Sequence, residues 1–328
     1  MNLLKTTLMA SALLVGSLSL PAMAQDEDRS DWPASFTVGT ASQGGTYFVY
    51  GSGWASMVSE ALGMPGGGEV TGGPVQNATL VQTGDLEFAQ VTMGPAADAW
   101  NGESELAPGV KHDKLRAIFP MYKTAFHAVT LANSGITDFA SIPAGAKVGV
   151  GPQGGTPGTY WPRFMETLGI DIQPQYAGAS DLAGQLQDGL VEVFAFAAGL
   201  PIPAFSQLDA QTDVRYLGFT EEQVAQITEA HPVAPFTIDG GLYPSMPDAQ
   251  ESVSMWNFAV TNADMPESFV YAVVDQVMSN HDRMMEIHKA ASETLPENID
   301  KNTFLPWHPG AVRWFEENGY TIPEDLKG

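Results

Sequence analysis

Residues 36–54 read FTVGTASQGGTYFVYGSGW, and the fold of the chain is organised around this stretch. The run predicts a strand over residues 36–40, a small polar loop over residues 41–45 and a helix that begins at about Thr46. The adjacent glycines Gly44 and Gly45 let a ligand approach the backbone closely. The helix start offers unpaired N–H groups and a positive dipole end, which favour an anion. An ordinary strand-turn-helix has the same local pattern, so the rest of the chain decides between the two interpretations.

A similar unit recurs later in the chain. A predicted strand over residues 147–150 leads into a glycine-rich loop over residues 151–155 and a helical segment that extends to about Leu168. Alternating strands and helices in both units predict a largely parallel sheet with helices on both faces. Two such lobes, joined by crossing strands, would leave a ligand cleft at the carboxyl ends of the strands.

The other elements follow from short apolar runs and turn signals. Strands are predicted over residues 86–91, 115–119, 125–131, 170–176, 190–196, 214–217 and 252–261, with a break around residues 120–123. Helices are predicted over residues 75–83, 95–100, 179–188, 201–208, 221–229, 266–280, 282–293 and 309–318. His308, before Pro309, fits the entry to the last helix.

Residues 1–24 have the pattern of a secretory signal peptide. Lys5 lies near the start, an apolar run covers residues 8–20, and Ala22-Met23-Ala24 forms a small-residue cleavage site. We therefore expect cleavage after Ala24 and an exported mature protein. The apolar run is short for a membrane span, and no later stretch is long and apolar enough for one.

The composition excludes several classes of site and partner. The chain has no cysteine, which excludes disulfides, thiolate metal sites and a cysteine nucleophile. It carries 38 acidic residues against 14 basic ones, a net charge of −24, which disfavours nucleic acid and anionic membranes as partners. The acidic excess has two interpretations. It is typical of an exported protein from a marine or halophilic source, and it is equally compatible with an acidic protein that has no adaptation to salt.

The enzyme-like motifs are weak. Residues 149–154 match G-x-G-x-x-G after a strand, but Pro157 and Pro162 disturb the following helix, and nicotinamide cofactors are not expected in an exported protein. No G-x-S-x-G or Walker A string is present. His281 and His288 could share a helix face, yet two histidines without a third ligand are a weak metal signal. We predict no cofactor, no metal and no catalytic residues.

Basic residues are scarce, so each one is informative. Lys123 falls at the predicted crossing between the units, and Arg163 follows the second glycine-rich loop. Either could neutralise an anionic ligand in the cleft. The alternative for each is a surface salt bridge in an acidic protein.

Taken together, the motifs resemble those of the TAXI-type solute receptors of tripartite ATP-independent periplasmic (TRAP) transporters. The opening T-A-x-x-G-G-T-Y of that family stands at residues 40–47, and a pattern similar to T-G-G-S-V-x-N stands at residues 71–77. Further matching stretches are Arg116-Ala117-Ile118, Tyr122, His127, Ser134-Gly135-Ile136, Asp188-Gly189, Ala198-Gly199-Leu200-Pro201 and His308-Pro309-Gly310-Ala311. The resemblance covers nearly all of the chain after residue 24.

The resemblance implies an α/β protein with two lobes and crossing hinge strands, a type II periplasmic binding protein or Venus flytrap. Lobe 1 would span residues 31–125 and 240–328, and lobe 2 residues 126–239. Such a receptor closes over a small organic acid, such as 2-oxoglutarate, glutamate or glutamine, and delivers it to TRAP membrane subunits. We expect a monomer. The positions that the family motifs suggest around the ligand are Gly45, Thr46, Tyr47, Thr71, Gly73, Asn77, Thr156 and Gly199.

The chain departs from the family pattern at two places that bear on the ligand. Pro74 replaces a serine, and the loop before Thr156 lacks the serine of the family's G-S-G-T. Two alternatives of other classes also remain at the level of sequence. One is an exported hydrolase acting on a small carboxylate, and the other is a ligand sensor for a signalling partner.

Overall fold

The computed structural model describes residues 29–328, so the predicted signal peptide over residues 1–24 lies outside the described residues. Within them, ten strands form one sheet, numbered in chain order: β1 Phe36–Gly39, β2 Gly66–Glu69, β3 Phe88–Thr92, β4 Leu115–Leu131, β5 Ala146–Gly149, β6 Ile172–Gln175, β7 Val193–Ala198, β8 Val214–Leu217, β9 Ala234–Ile238 and β10 Gln250–Asn262. The same residues form ten α-helices: α1 Thr46–Leu62, α2 Pro74–Thr83, α3 Met93–Asn101, α4 Thr156–Thr167, α5 Ala179–Gln187, α6 Pro203–Gln211, α7 Glu221–Ala230, α8 Glu267–Met278, α9 His281–Ile287 and α10 Pro309–Glu317. None of the helices in this part of the chain combines the length and apolarity that a membrane crossing requires.

Two parallel blocks make up the sheet, and two long antiparallel strands join them. The strand order is β2-β1-β3-β10-β4-β7-β5-β6, with β8 paired to β4 and β9 paired to β10. Strand β1 is parallel to β2 and β3, and β5 is parallel to β6 and β7. Strands β4 and β10 are antiparallel to each other and to their outer neighbours β7 and β3. The predicted α/β class with crossing strands is confirmed.

The buried side chains form separate cores on the two blocks. The first core packs α1, α8 and α10 against β1 and β3. The second core consists of two clusters of buried side chains, one on each face of β7. Ala195 belongs to one cluster, and its neighbour Phe196 belongs to the other. Strand β10 supplies Val253 to the second core and Phe258 to the first. The long strands thus pass from one core into the other.

The strand break predicted around residues 120–123 is wrong, because β4 runs without interruption from Leu115 to Leu131. Lys123 faces Trp256 and Pro120 faces Phe258, so β4 carries one extra residue between the two pairs. This irregularity is a β-bulge. Proline has no N–H to donate to a strand ladder, and a bulge accepts such a residue.

The single helix predicted over residues 282–293 is also wrong. Helix α9 ends at Ile287, and a 3₁₀ turn covers Lys289–Glu293. His288 between them is extended, and its side chain accepts the N–H of Ala290. A side chain that accepts a backbone N–H replaces a hydrogen bond of the helix. The His288 side chain therefore separates α9 from the 3₁₀ turn that follows it.

His308 enters the last helix as the sequence predicts. It is the N-cap of α10, its Nδ1 accepts the N–H of Gly310 at 3.2 Å, and its Nε2 donates to the carbonyl of Met265 at 3.0 Å. Burial lowers the pKa of His308 to about 4, and the charge of Arg116 acts in the same direction. The capping geometry therefore belongs to the neutral imidazole.

Replacing His308 with Asn should keep a capping acceptor and remove the titration. The folded state holds His308 neutral, so its contribution is complete above the ordinary histidine pKa and is lost as the pH falls toward the folded value. We expect the stability advantage of the wild type over His308→Asn to shrink by up to about 3 kcal/mol between about pH 7 and pH 4. Urea unfolding at both pH values measures this change. An advantage that is independent of pH would contradict the neutral, buried state assigned to the His308 imidazole.

Candidate functional site

A small cavity lies where helix starts of the first core meet a helix start of the second. Its wall contains the starts of α1, α2 and α4 and the ends of β3 and β7, and the lining residues are Ala41, Ser42, Gly45, Thr46, Tyr47, Gly72, Pro74, Thr92, Thr124, Pro152, Gly155, Thr156, Pro157, Phe196, Ala197 and Ala198. The centres of water molecules can occupy about 30 Å³ of it. None of these lining residues is Asp, Glu, His, Lys or Arg.

Two helices begin at this cavity without a side-chain cap. Gly45 is the N-cap of α1 and Gly155 is the N-cap of α4, and neither start is satisfied by a side-chain acceptor. The first N–H groups of a helix have no acceptor within it, and its N-terminus carries a partial positive charge. The site therefore combines backbone donors and positive potential with a lining that has no charged side chain.

A cluster of hydroxyls shares one buried amide oxygen beside the cavity. The Oδ1 atom of Asn257 accepts from Tyr47 at 2.6 Å, from Thr92 at 2.9 Å and from Thr124 at 2.9 Å. The hydroxyl of Thr156 donates to that of Thr92 at 2.8 Å. Burial raises the pKa of Tyr47 far above its ordinary value, so its hydroxyl stays protonated. The hydroxyl protons are thus directed onto Asn257 and onto each other.

The two cores touch around the cavity through backbone groups. Val75 of α2 donates its N–H to the carbonyl of Gly154 at 3.0 Å. Gly73 has a φ of 111°, and a Cβ there would lie 3.0 Å from the Cα of Gly155. Gly44 has a φ of 84°, and a Cβ there would lie 2.6 Å from the hydroxyl of Ser180. Both positions need glycine for the backbone conformation and for the close approach.

Four of the ten predicted site residues line the cavity, namely Gly45, Thr46, Tyr47 and Thr156. The other four motif residues support its walls. Asn77 donates to three backbone carbonyls and accepts from Thr71 at 2.7 Å, which fixes the loop before α2. Gly73 forms the contact with Gly155 described above, and the carbonyl of Gly199 accepts the hydroxyl of Thr46 at 2.5 Å.

The two predicted charge partners lie outside the cavity lining. Lys123 pairs with Glu293 at 2.6 Å and borders another depression that also contains Lys289. Arg163 pairs with Glu105 at 2.8 Å and lies 3.9 Å from Asp98. A contact between either side chain and a ligand stays a prediction.

The sequence interpretation did not include several residues of this site. Thr92 and Ala198 end β3 and β7, and the carboxyl end of a parallel strand is the usual signal for such positions. Asn257 is an amide within a buried apolar strand, and a polar side chain in that setting requires partners. Phe196 and Thr124 carried no local signal, since only the tertiary fold brings them to the cavity.

The sequence profile of the NMT1-like family matches residues 38–319. The chain belongs to the NMT1-like family. Its structure is similar to that of MatC from Rhodopseudomonas palustris with bound malate, with a TM-score of 0.56, 15% identity, and coverage of 87% of this chain and 97% of MatC. It is also similar to a structure described as a periplasmic transporter, with a TM-score of 0.52, 15% identity, and coverage of 79% and 87%. The chain shares with these two structures a mixed α/β fold.

Replacing Asn257 with Ala should destabilise the protein. The change removes the acceptor that Tyr47, Thr92 and Thr124 share, and an unsatisfied buried hydroxyl costs about 1–3 kcal/mol. We expect the free energy of unfolding to fall by about 2–5 kcal/mol, measured by guanidinium titration. The control is Asn101→Ala at the exposed end of α3, with an expected loss below about 0.5 kcal/mol. Equal losses in both variants would contradict the role of Asn257.

Proposed function

We propose that the protein is a periplasmic solute receptor that binds a small organic anion in the cavity and delivers it to a TRAP membrane transporter. The observation that carries this proposal is the junction of two uncapped helix N-termini, at Gly45 and Gly155, in one cavity between two cores. Backbone N–H groups and helix dipoles at such a junction favour a carboxylate. Export through the signal peptide over residues 1–24 belongs to the same proposal.

The two cores would act as lobes that open and close. Lobe 1 would comprise residues 31–125 and 240–328, and lobe 2 residues 126–239, with β4 and β10 as the hinge. The bonds from Val75 to Gly154 and from Ala204 to Gly44 would form on closure. A ligand that touches both helix starts gains contacts only in the closed state, so it would shift the population toward closure.

The ligand classes suggested by the family resemblance are dicarboxylates such as 2-oxoglutarate, together with glutamate and glutamine. Malate in MatC is a further small organic acid in a protein of similar fold. The receptor would act as a monomer and would dock on TRAP membrane subunits. A sensor would use the same cavity, and genes for transporter subunits beside this gene would favour the receptor.

The cavity offers little support for an enzyme. A hydrolase needs a nucleophile beside a general base, and the lining residues include no His, Asp, Glu or Lys. The hydroxyls of Thr92 and Thr124 donate to Asn257, that of Thr156 donates to Thr92 and that of Thr46 donates to the carbonyl of Gly199, so none of these threonines is hydrogen-bonded to a general base. Recovery of an added ligand unchanged after incubation, followed by mass spectrometry, would agree with a receptor, and turnover would contradict it.

Replacing Gly45 with Val should abolish binding and leave the protein folded. The φ of Gly45 is −89°, which any residue adopts. An added Cβ would lie 3.3 Å from the carbonyl oxygen of Ser42, which must shift by a few tenths of an ångström, and 3.5 Å from the Phe196 ring, so the new side chain would occupy the cavity. A ligand at about 100 times its Kd stabilises the native state by about 2.7 kcal/mol. A thermal-shift screen of organic acids should therefore show stabilisation of the wild type. The Gly45→Val variant should show none.

The control is Gly67→Val on β2, where a Cβ meets nothing within 4 Å. This variant should bind like the wild type, because β2 lies at the edge of the sheet away from the cavity lining. Ligand binding that survives in Gly45→Val would mean that the site is elsewhere.

Replacing Arg163 with Gln should weaken ligand affinity without removing any group from the cavity. Arg163 on α4 pairs with Glu105 of the other proposed lobe, and an exposed pair contributes about 0.2–1 kcal/mol. We expect affinity to fall about two- to fivefold at low salt, and the difference to vanish near 1 M salt. Calorimetry at both ionic strengths measures it.

Arg283→Gln is the matched control, because Arg283 pairs with Glu60 at 3.2 Å within lobe 1. Its affinity should equal that of the wild type at either salt concentration. An equal loss in both variants would contradict a role of the Arg163 pair in closure.

A further inference from the structure

We propose that the cavity selects a small monocarboxylate with no second charged group. The inference rests on the proposed function. It narrows the ligand from small organic anions in general to monocarboxylates, and it excludes dicarboxylates and amino acids. It follows from the charges, the donors and the apolar walls of the cavity.

The positive charge available at the cavity matches one carboxylate. A helix N-terminus is equivalent to roughly half a unit of positive charge, so the starts of α1 and α4 together supply about one unit. Helix α2 adds little, because Pro74 at its first position has no N–H and the next N–H, of Val75, is donated to Gly154. Helix α4 also has a proline in its first turn, Pro157, so its first N–H donors are those of Thr156 and Gly158. A single carboxylate is therefore compensated, and a second one is not.

The two basic side chains that the sequence predicts as charge partners are already paired. Arg163 is held by Glu105 and Asp98, and Lys123 is held by Glu293. None of these residues lines the cavity. A second ligand carboxylate would thus be buried without a cation, and the ammonium of an amino acid would be buried without an anion. Either situation has an energetic cost large enough to reduce affinity by about 100-fold or more.

The remaining polar groups also favour a ligand with few polar atoms. The hydroxyls of Tyr47, Thr92 and Thr124 donate to Asn257, and that of Thr156 donates to Thr92. These protons are engaged within the protein, so a ligand carboxylate depends on the backbone N–H groups at the two helix starts and on the hydroxyl of Ser42, whose oxygen accepts the N–H of Ala179. One carboxylate can occupy that junction.

The other walls are apolar and leave little space. Phe196, Ala197, Pro74, Pro152 and Pro157 form most of the surface away from the hydroxyl cluster. Such walls exclude water from a short hydrocarbon chain but offer no hydrogen bond to a second polar group. The volume open to water centres is about 30 Å³, room for about two water molecules, which limits the ligand to a small one.

Butyrate and succinate provide the sharpest test, because both have four carbon atoms and differ by one carboxylate. Calorimetry with the purified protein would compare their dissociation constants, along with acetate, propionate, pyruvate, lactate, glutamate, glutamine and uncharged butyramide. We expect the tightest ligand to be a monocarboxylate, butyrate to bind at least about 100-fold more tightly than succinate, and butyramide to show no binding.

A variant tests whether the apolar wall contributes to this selection. Pro74→Ser adds a backbone N–H and a hydroxyl beside the cavity, so succinate should gain about tenfold relative to butyrate. Pro108→Ser, at an exposed position of the loop between α3 and β4, is the control and should leave the ratio unchanged. A ratio that stays constant in Pro74→Ser would overturn the role assigned to this wall.

The outcomes separate this inference from the function on which it rests. Succinate, glutamate or glutamine binding as tightly as the best monocarboxylate, and lost in Gly45→Val, would overturn the inference and leave the receptor function intact. No stabilisation by any acid in the panel would overturn the receptor function itself.

Discussion

One buried amide connects the parts that form the cavity. Asn257 lies in the middle of β10, and its Oδ1 atom accepts hydroxyls from α1, from the end of β3 and from β4. Its amide nitrogen donates to the carbonyl of Tyr122 at 2.6 Å. A buried amide whose oxygen and nitrogen both have partners specifies its neighbours closely, because a displacement leaves a polar group without a partner. The cavity thus depends on a residue that does not line it.

The surface and the cavity have opposite electrostatic characters. The chain carries a net charge of −24, whereas the cavity lining has no charged side chain and gathers two helix N-termini. The two basic side chains that the sequence predicts as charge partners, Lys123 and Arg163, are held by carboxylates. At the cavity, the positive potential comes from the backbone dipoles at the starts of α1 and α4.

The sequence predicted the class of fold, the two parallel blocks and the glycine-rich helix starts, since these depend on local patterns around Gly45 and Gly155. It did not predict the continuous β4, because the bulge at Pro120 exists only in the pairing with β10. Four of ten site residues line the cavity. Asn77 belongs to a family motif, yet its side chain holds a loop by donating to the carbonyl of Thr40. Lys123 pairs with Glu293, which is distant in sequence. Neither partner can be read from the local sequence.

The crystal structure of a complex with a bound carboxylate would test the central claim most directly. The account predicts the carboxylate within hydrogen-bonding distance of backbone N–H groups at the starts of both α1 and α4, with its carbon chain against Phe196. A carboxylate bound instead in the depression beside Lys123 and Lys289, or in contact with only one of the two helix starts, would contradict it.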